Sequence, residues 1–486
     1  MRRPPTTSHN YQDMSKEDYN HLRAISPIDG RYRKRVSSLG PHFSQFGLDR
    51  ERVKVEIEYL IKLGKLKEIP ISPPASRLRG IYEEFELEDA GLIQKIESEG
   101  YRDIPPTNHD VKAVEYFIRE KLKDENLAEL IPFVHFGLTS EDVNNLAYMK
   151  LIKEGTGELI SALVSLANEL IALAEENSDL PMLARTHGQP ATPTTLGKEL
   201  SVFLSRLVDR IENILASREK LTGKLAGATG NLNAHSDSYP KTDWKEFSQE
   251  FVSDYGLRPN SCVTQIEPRD NLAGLIQSIN GANNVVLDLA RDCWTYISRD
   301  YLAQKQEKSE VGSSTMPQKV NPIDFENGEG NLSKANSDLE FLSDYLTKSR
   351  LQRDLSDSTV RRNIGVAYSH ALLGYIGVSR GLDKVGPNEK TIRSDLAKHP
   401  EVLAEAWQTA LRKYGHSDAY EIVRDLTRGV RLDEEKIAQV IEKLPLPQNE
   451  RARLKELKTE AYTGKASEIT MSCVKEAKAT ISELSL

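Results

Sequence analysis

The spacing of apolar residues in the middle of the chain limits the folds open to it. From Leu196 they fall at Leu196, Leu200, Phe203, Leu207, Ile211 and Ile214. A second run goes through Leu272, Leu275, Ile279, Ala282, Val286, Leu289 and Cys293. Steps of three and four put each set on one face of a long helix, the first expected to stop near Leu221-Thr222-Gly223. The second run is close to a heptad seam, which favours near-parallel packing against other long helices. Gly157–Glu176, Phe325–Tyr345 and Thr359–Leu382 read the same way, and alternating β-branched strands are nearly absent. The sequence therefore predicts a mainly α protein with a central bundle of about five long helices.

A chain of 486 residues exceeds one small core, and its punctuation divides it. Residues 1–129 hold shorter helices broken by Pro70-Ile71-Ser72-Pro73-Pro74 and Ile104-Pro105-Pro106-Thr107-Asn108, with residues 1–20 read as a mobile tail lacking an apolar signal core. Residues 130–382 form the long-helix centre, interrupted by a polar loop at 304–324. Residues 383–486 are charged, short-helix and Pro-punctuated. The longest apolar stretch, Leu159 to Ala174, includes Asn168 and Glu169 and is too short to span a bilayer, so no membrane partner is expected.

Charge and cysteine content exclude further classes. With 65 Lys and Arg against 73 Asp and Glu, the net charge is −8, which argues against nucleic acid as a partner but not against a small anion in a local basic pocket. Cys262, Cys293 and Cys473 form no C-x-x-C pair, so neither a disulfide framework nor a zinc site is expected. A reducing compartment fits best, with cytoplasm as the expectation.

The chemistry lies in polar loops. Gly312-Ser313-Ser314-Thr315-Met316-Pro317-Gln318-Lys319-Val320-Asn321-Pro322 combines hydroxyls, a cation and an amide between stiffening prolines. A linker needs no such set, whereas Ser can carry protons, Lys neutralises carboxylate and Asn supplies a directional donor. Thr139-Ser140-Glu141-Asp142 reads as a helix N-terminus, where free N–H groups attract anions; simple capping would account for the same residues.

The string GSSTMPQKVNP resembles the signature loop of the fumarase/aspartase superfamily, G-S-S-x-M-P-x-K-x-N-P. Thr107–Tyr116 (TNHDVKAVEY), His135–Asp142 (HFGLTSED) and Arg185–Pro193 (RTHGQPATP) extend the resemblance over most of the chain. Gln352–Thr359 (QRDLSDST) is similar to the branch that acts on succinyl-purine nucleotides, and Ile323–Asn327 to its bacterial-type members. The resemblance implies a three-domain fold of that superfamily and β-elimination of fumarate from adenylosuccinate, giving AMP, and from SAICAR, giving AICAR. It implies no metal or organic cofactor, and a homotetramer whose sites draw on several subunits.

Roles follow residue by residue from that resemblance. Ser313 matches the general base, Ser314 being its competitor on the residues alone, and His187 matches the general acid. An alkoxide needs nearby positive charge, which Lys319 could supply in a closed loop, and an imidazole suits proton delivery to a leaving nitrogen. Lys319, Asn321, Thr139 and Ser140 would stabilise the developing dianion. Asn108, His109 and Asp110 match a substrate-binding segment, with Lys112 and Glu115 supporting it. Arg31 and Tyr32 match an N-terminal phosphate contact; Arg353, Ser358 and Arg362 match the nucleotide-binding segment, and Gln265 a substrate-binding amide. His135 is expected to be structural, while His235 could line the pocket. Gln318 departs from the bacterial type, which has His there, and so that position cannot be the acid.

Three other readings differ in what they require. Argininosuccinate lyase, aspartase or fumarase would lack the phosphate clamp of Arg31, Arg353, Ser358 and Arg362. A silent helical scaffold would not need Ser313, Lys319, Asn321 and His187 intact. An RNA-binding regulator conflicts with the net charge.

Overall fold

The computed structural model describes residues 20–305, 316, 319–427 and 434–484. Five long helices dominate: α3 (Ser140–Glu176), α4 (Leu196–Arg218), α5 (Asp270–Ser298), α6 (Ile323–Tyr345) and α8 (Ile364–Asp383). Before them come α1 (Gln45–Leu63) and α2 (Asp110–Asp124), and α7 (Ser356–Arg361) precedes α8. Every apolar position predicted to face the core of α4 and α5 is buried, including Leu207, Ile211, Leu275, Ile279 and Val286. Fold class is therefore mainly α, as the periodicity requires.

The described residues form two compact units, those within 20–160, 213–281 and 331–373 in the first and those within 161–212, 282–330 and 374–484 in the second. In the first, Arg218 Nε of α4 donates to Lys153 O of α3 (2.8 Å), and Ser217 of α4 meets Ser278 of α5 (2.9 Å). Thr156 of α3 meets Tyr368 of α8 (3.1 Å), and His370 of α8 meets Asn331 of α6 (2.9 Å). A separate apolar core here joins Phe117, Val114 and Ile118 of α2 to Val53, Ile57 and Leu60 of α1.

In the second unit Arg206 of α4 pairs with Asp288 of α5 (2.7 Å), and Ser379 of α8 donates to Glu169 of α3 (2.5 Å). Arg291 of α5 pairs with Glu329 of α6 (2.8 Å). Gly328 of α6 lies against α8, where an added Cβ would come within 2.7 Å of Val378. A C-terminal cluster gathers around the fully buried Trp407.

Four expectations are corrected. Leu159 to Ala174 is part of a 37-residue helix, which by length and composition could cross a membrane, with mean hydropathy 1.5 over its most apolar window. Its residues Leu159, Ile160, Leu163, Leu166 and Leu170 are instead buried in protein. The predicted helix over Thr359–Leu382 is two helices, α7 and α8, broken after Arg361. Helix α4 ends at Arg218, and Thr222–Gly223 pair in parallel with Arg258–Pro259. Strands, expected to be nearly absent, do form at 185–193, in a hairpin of β1 (Pro181–Thr186) and β2 (Gln189–Thr195).

Phe117 is fully buried at the centre of the N-terminal core, with its ring edge-on to Phe85 (centroids 5.8 Å apart). Phe117→Ala should destabilise that core by about 3–5 kcal/mol. A lowered first melting transition in calorimetry checks it.

Candidate active site

Helix starts and short turns bring polar groups together in the first unit. His109 caps α2: its Nδ1 accepts from Lys112 N (3.2 Å), so the ring carries its proton on Nε2, which faces Ser140 Oγ at 3.3 Å. Asn108 precedes it with φ +45°, a left-handed conformation Asn tolerates better than most residues. Asp110, the first residue of α2, accepts from buried Arg52 (2.6 Å) and from Arg362 (3.3 Å). Burial is the largest influence and would raise its pKa, but the Arg52 charge, the Val111 N–H, the Arg52 hydrogen bond and the Arg362 charge together hold it below the ordinary value.

Opposite these groups, Arg353 donates to Ser358 Oγ (3.3 Å) and to Gln265 Oε1 (3.3 Å), while Gln265 Nε2 donates to Ala228 O (3.0 Å). A cavity of about 230 Å³ opens between the two groups. Its wall carries Arg52, Arg353, Arg361 and Arg362 against the carboxylates of Glu97 and Asp110, together with Asn108, His109, Ser140 and Ser358. Positive charge is therefore in excess along the cavity wall.

The turn leading to Ser140 is held from behind. His135, at φ +57°, donates its N–H to Glu56 Oε2 (3.2 Å), and its Nδ1 lies 2.5 Å from Glu56 Oε1. Tyr59 donates to Phe136 O (2.8 Å) and lies 2.9 Å from His235 Nε2. Gly137, at φ +67°, lies so close to the His235 ring that a Cβ would come within 2.6 Å of it. The expected structural role of His135 fits these contacts. His235 is fully buried, burial lowers its pKa, and it lines no part of this cavity.

The remaining predicted residues are placed elsewhere. Thr139 N–H donates to Asp142 Oδ2 (2.9 Å), a helix-capping contact, and Thr139 does not line the cavity. Tyr32 packs with Ile28, Val36 and Leu373, and neither it nor exposed Arg31 lines the cavity. Lys112 pairs with Glu115 (2.7 Å) beside the His109 cap. In the second unit, His187 and Gly188 form the two-residue turn of the β1–β2 hairpin, both with positive φ (54° and 74°), which displays the imidazole to solvent. Lys319 is exposed, its N–H donating to Met316 O (3.0 Å), and Asn321 is half-buried. Ser313, Ser314 and Gln318 lie outside the described residues.

Sequence reasoning missed Arg52, Asn144, Tyr148 and Arg361 on the cavity wall, and Glu141 behind it. Arg361 lies next to predicted Arg362, and Glu141 next to predicted Ser140, so adjacency was the available signal.

Comparison with known proteins places this arrangement. Residues 75–336 match the family model described as lyase, and residues 349–463 the model described as adenylosuccinate lyase C-terminal. The adenylosuccinate lyase of Legionella pneumophila (strain Corby) is 44% identical over 92% of this chain and 98% of its own. Those of Dictyostelium discoideum and Escherichia coli (strain K12) are 46% and 43% identical, over 92% and 93% of this chain and 97% and 99% of theirs. A 3-carboxy-cis,cis-muconate lactonizing enzyme from Pseudomonas putida shares the fold at TM-score 0.72 and 21% identity, covering 91% of this chain and 97% of its own. A fumarate lyase from Mesorhizobium sp. BNC1 does so at 0.72 and 19%, covering 90% and 97%. Fold and sequence together define a carbon–nitrogen lyase of the fumarase/aspartase superfamily. Within it, the chain belongs to the adenylosuccinate lyase family.

Glu56 and His135 give a pH test of the turn. Burial alone would lower the His135 pKa, but the Glu56 carboxylate reverses this and raises it above 6.5. A raised folded pKa contributes stability that is full below the unfolded value and lost as pH rises through the folded one. Melting curves should therefore show wild type furthest above Glu56→Gln below pH 6.5, with the gap narrowing at higher pH.

Proposed function

We propose that this chain eliminates fumarate from adenylosuccinate, giving AMP, and from SAICAR, giving AICAR. The observation that carries the reading is the convergence of Arg353, Ser358, Arg362, His109 and Ser140 on one arginine-rich cavity. Guanidinium forks, a hydroxyl and an imidazole N–H form a donor set matched to phosphate oxygens. A lyase acting on a substrate without phosphate has no use for it. Gln265 holds Arg353 from the side.

In the proposed reaction Ser313 removes a proton from the carbon next to a carboxylate of the succinyl group. The electron pair forms the carbon–carbon double bond of fumarate as the carbon–nitrogen bond breaks. The departing nitrogen takes its proton from His187. Lys319, Asn321, Thr139 and Ser140 stabilise the dianionic carboxylate, and Arg31 and Tyr32, which do not line the cavity of their own chain, complete the phosphate contact of a neighbouring subunit in the tetramer proposed below. No metal or organic cofactor is assigned. The three-part division at 129 and 382 is kept with this reading, as is cytoplasmic location.

We also propose a homotetramer with shared sites. Supporting it are large apolar side chains left exposed on long helices, Phe341 on α6, Trp294 on α5 and Val202 on α4. Light scattering should give four times the chain mass.

The direct test is a spectrophotometric assay of purified protein. Turnover of adenylosuccinate and SAICAR is expected, whereas turnover of argininosuccinate alone would overturn the reading. Ser313→Ala and His187→Ala should each lower kcat by about 10²–10⁴-fold with the oligomer intact. Near-normal activity in Ser313→Ala would remove that residue as the base.

A further inference from the structure

We propose that Glu141 is a positioning residue for phosphate recognition, its buried carboxylate holding Arg353 against Ser358 and setting the charge of the cavity wall. This rests on reading the cavity as the phosphoryl site. Glu141 is fully buried one residue after Ser140, and three guanidinium groups reach it. Arg361 lies at 2.6 Å, Arg269 at 3.1 Å and Arg353 at 3.1 Å. Arg269 also pairs with buried Asp357 at 2.6 Å.

The charge balance separates a positioning role from simple core packing. Arg269 with Asp357, and Arg361 with Glu141, already make two neutral pairs. A core cluster needs nothing more, and an added buried cation costs free energy. Arg353 is that addition, and one of its nitrogens reaches both Glu141 and Ser358. Its side chain is 14% exposed, and it lines the cavity. Within these ion pairs three cations meet two carboxylates, and Arg353, the least buried of the five, faces the cavity. A phosphoryl group would pair with that guanidinium, whereas an uncharged ribose would not.

Shortening the anchor tests this without removing its charge. Glu141→Asp keeps a carboxylate near Arg361 but withdraws it from Arg353. Calorimetric titration of the purified full chain with AMP and with adenosine reads phosphate recognition directly. Wild type should bind AMP more tightly than adenosine. In Glu141→Asp the AMP affinity should fall by about tenfold or more, the loss of one charge-assisted contact, with adenosine affinity held within about twofold. KM for adenylosuccinate should rise by a similar factor, and kcat should change less. Arg353→Lys should show the same loss, and the double variant should lose no more than either alone.

An unchanged AMP-to-adenosine ratio, an equal fall for both ligands, or a Glu141→Asp chain that does not fold would each overturn the proposal. A wild-type protein that binds adenosine as well as AMP would instead overturn the phosphoryl reading of the cavity. The two failures are therefore distinguishable.

Discussion

The geometry of the arginine-rich cavity depends on one constraint: a carboxylate fully removed from water must be matched by cations held in place. Burial would push the Glu141 pKa up, but Arg361 and then Arg269 outweigh it and hold the group down at about 2. A group so held stays ionised, and removing a partner from such a cluster typically costs about 3–5 kcal/mol. Glu141 therefore fixes the first turn of α3, the segment before α5 that carries Arg269, and the whole of α7. Asp357 and Arg361, four residues apart, lie on the same face and turn towards Arg269 and Glu141. Arg362, one residue further round, leaves that face and is half-exposed at the cavity, 3.3 Å from Asp110. Two adjacent arginines on the cavity wall thus take different partners, one buried and one half-exposed.

A second buried pair does similar work on the other side of the same helix turn. Asp142 and Lys224 are both fully buried and 2.8 Å apart. Asp142 also accepts from Thr139 N (2.9 Å), Ala226 N (2.8 Å) and Gly227 N (3.1 Å). One carboxylate thereby caps the start of α3 and ties the 224–227 segment to it. With Glu56 and Tyr59 gripping the preceding turn, the Thr139–Ser140 corner is held from three directions. Donors held this way need little reorganisation when an anion arrives, which is the physical basis of electrostatic preorganisation.

Most of the fold was legible because burial of a helix face leaves a periodic trace. Leu207, Leu275 and Val286 are buried as their spacing requires. The site was legible only where it resembled a known pattern. Glu141, Arg52 and Arg361 look like surface charges in one dimension, since charged residues are seldom buried and nothing local announces a partner more than 50 residues away. The hairpin at His187 was missed for a related reason. Its strands are short and rich in Pro and Thr, and its turn relies on His rather than Asn-Gly to take positive φ. The break between α7 and α8 was invisible because apolar spacing continues across it.

The two histidines assigned to substrate illustrate how backbone setting sorts chemical roles. His109 is a helix cap: the N–H of Lys112 occupies Nδ1, so the proton sits on Nε2 and points at Ser140. A ring locked in one tautomer suits binding, because its donor is always presented in the same direction. His187 stands at a hairpin tip with no hydrogen-bond partner among the described residues, and its backbone is fixed by the turn while its ring is free. Such a ring can turn towards a substrate without disturbing any structural contact. The proposed division of labour, with His109 as binder and His187 as acid, is the one these two backbone settings favour.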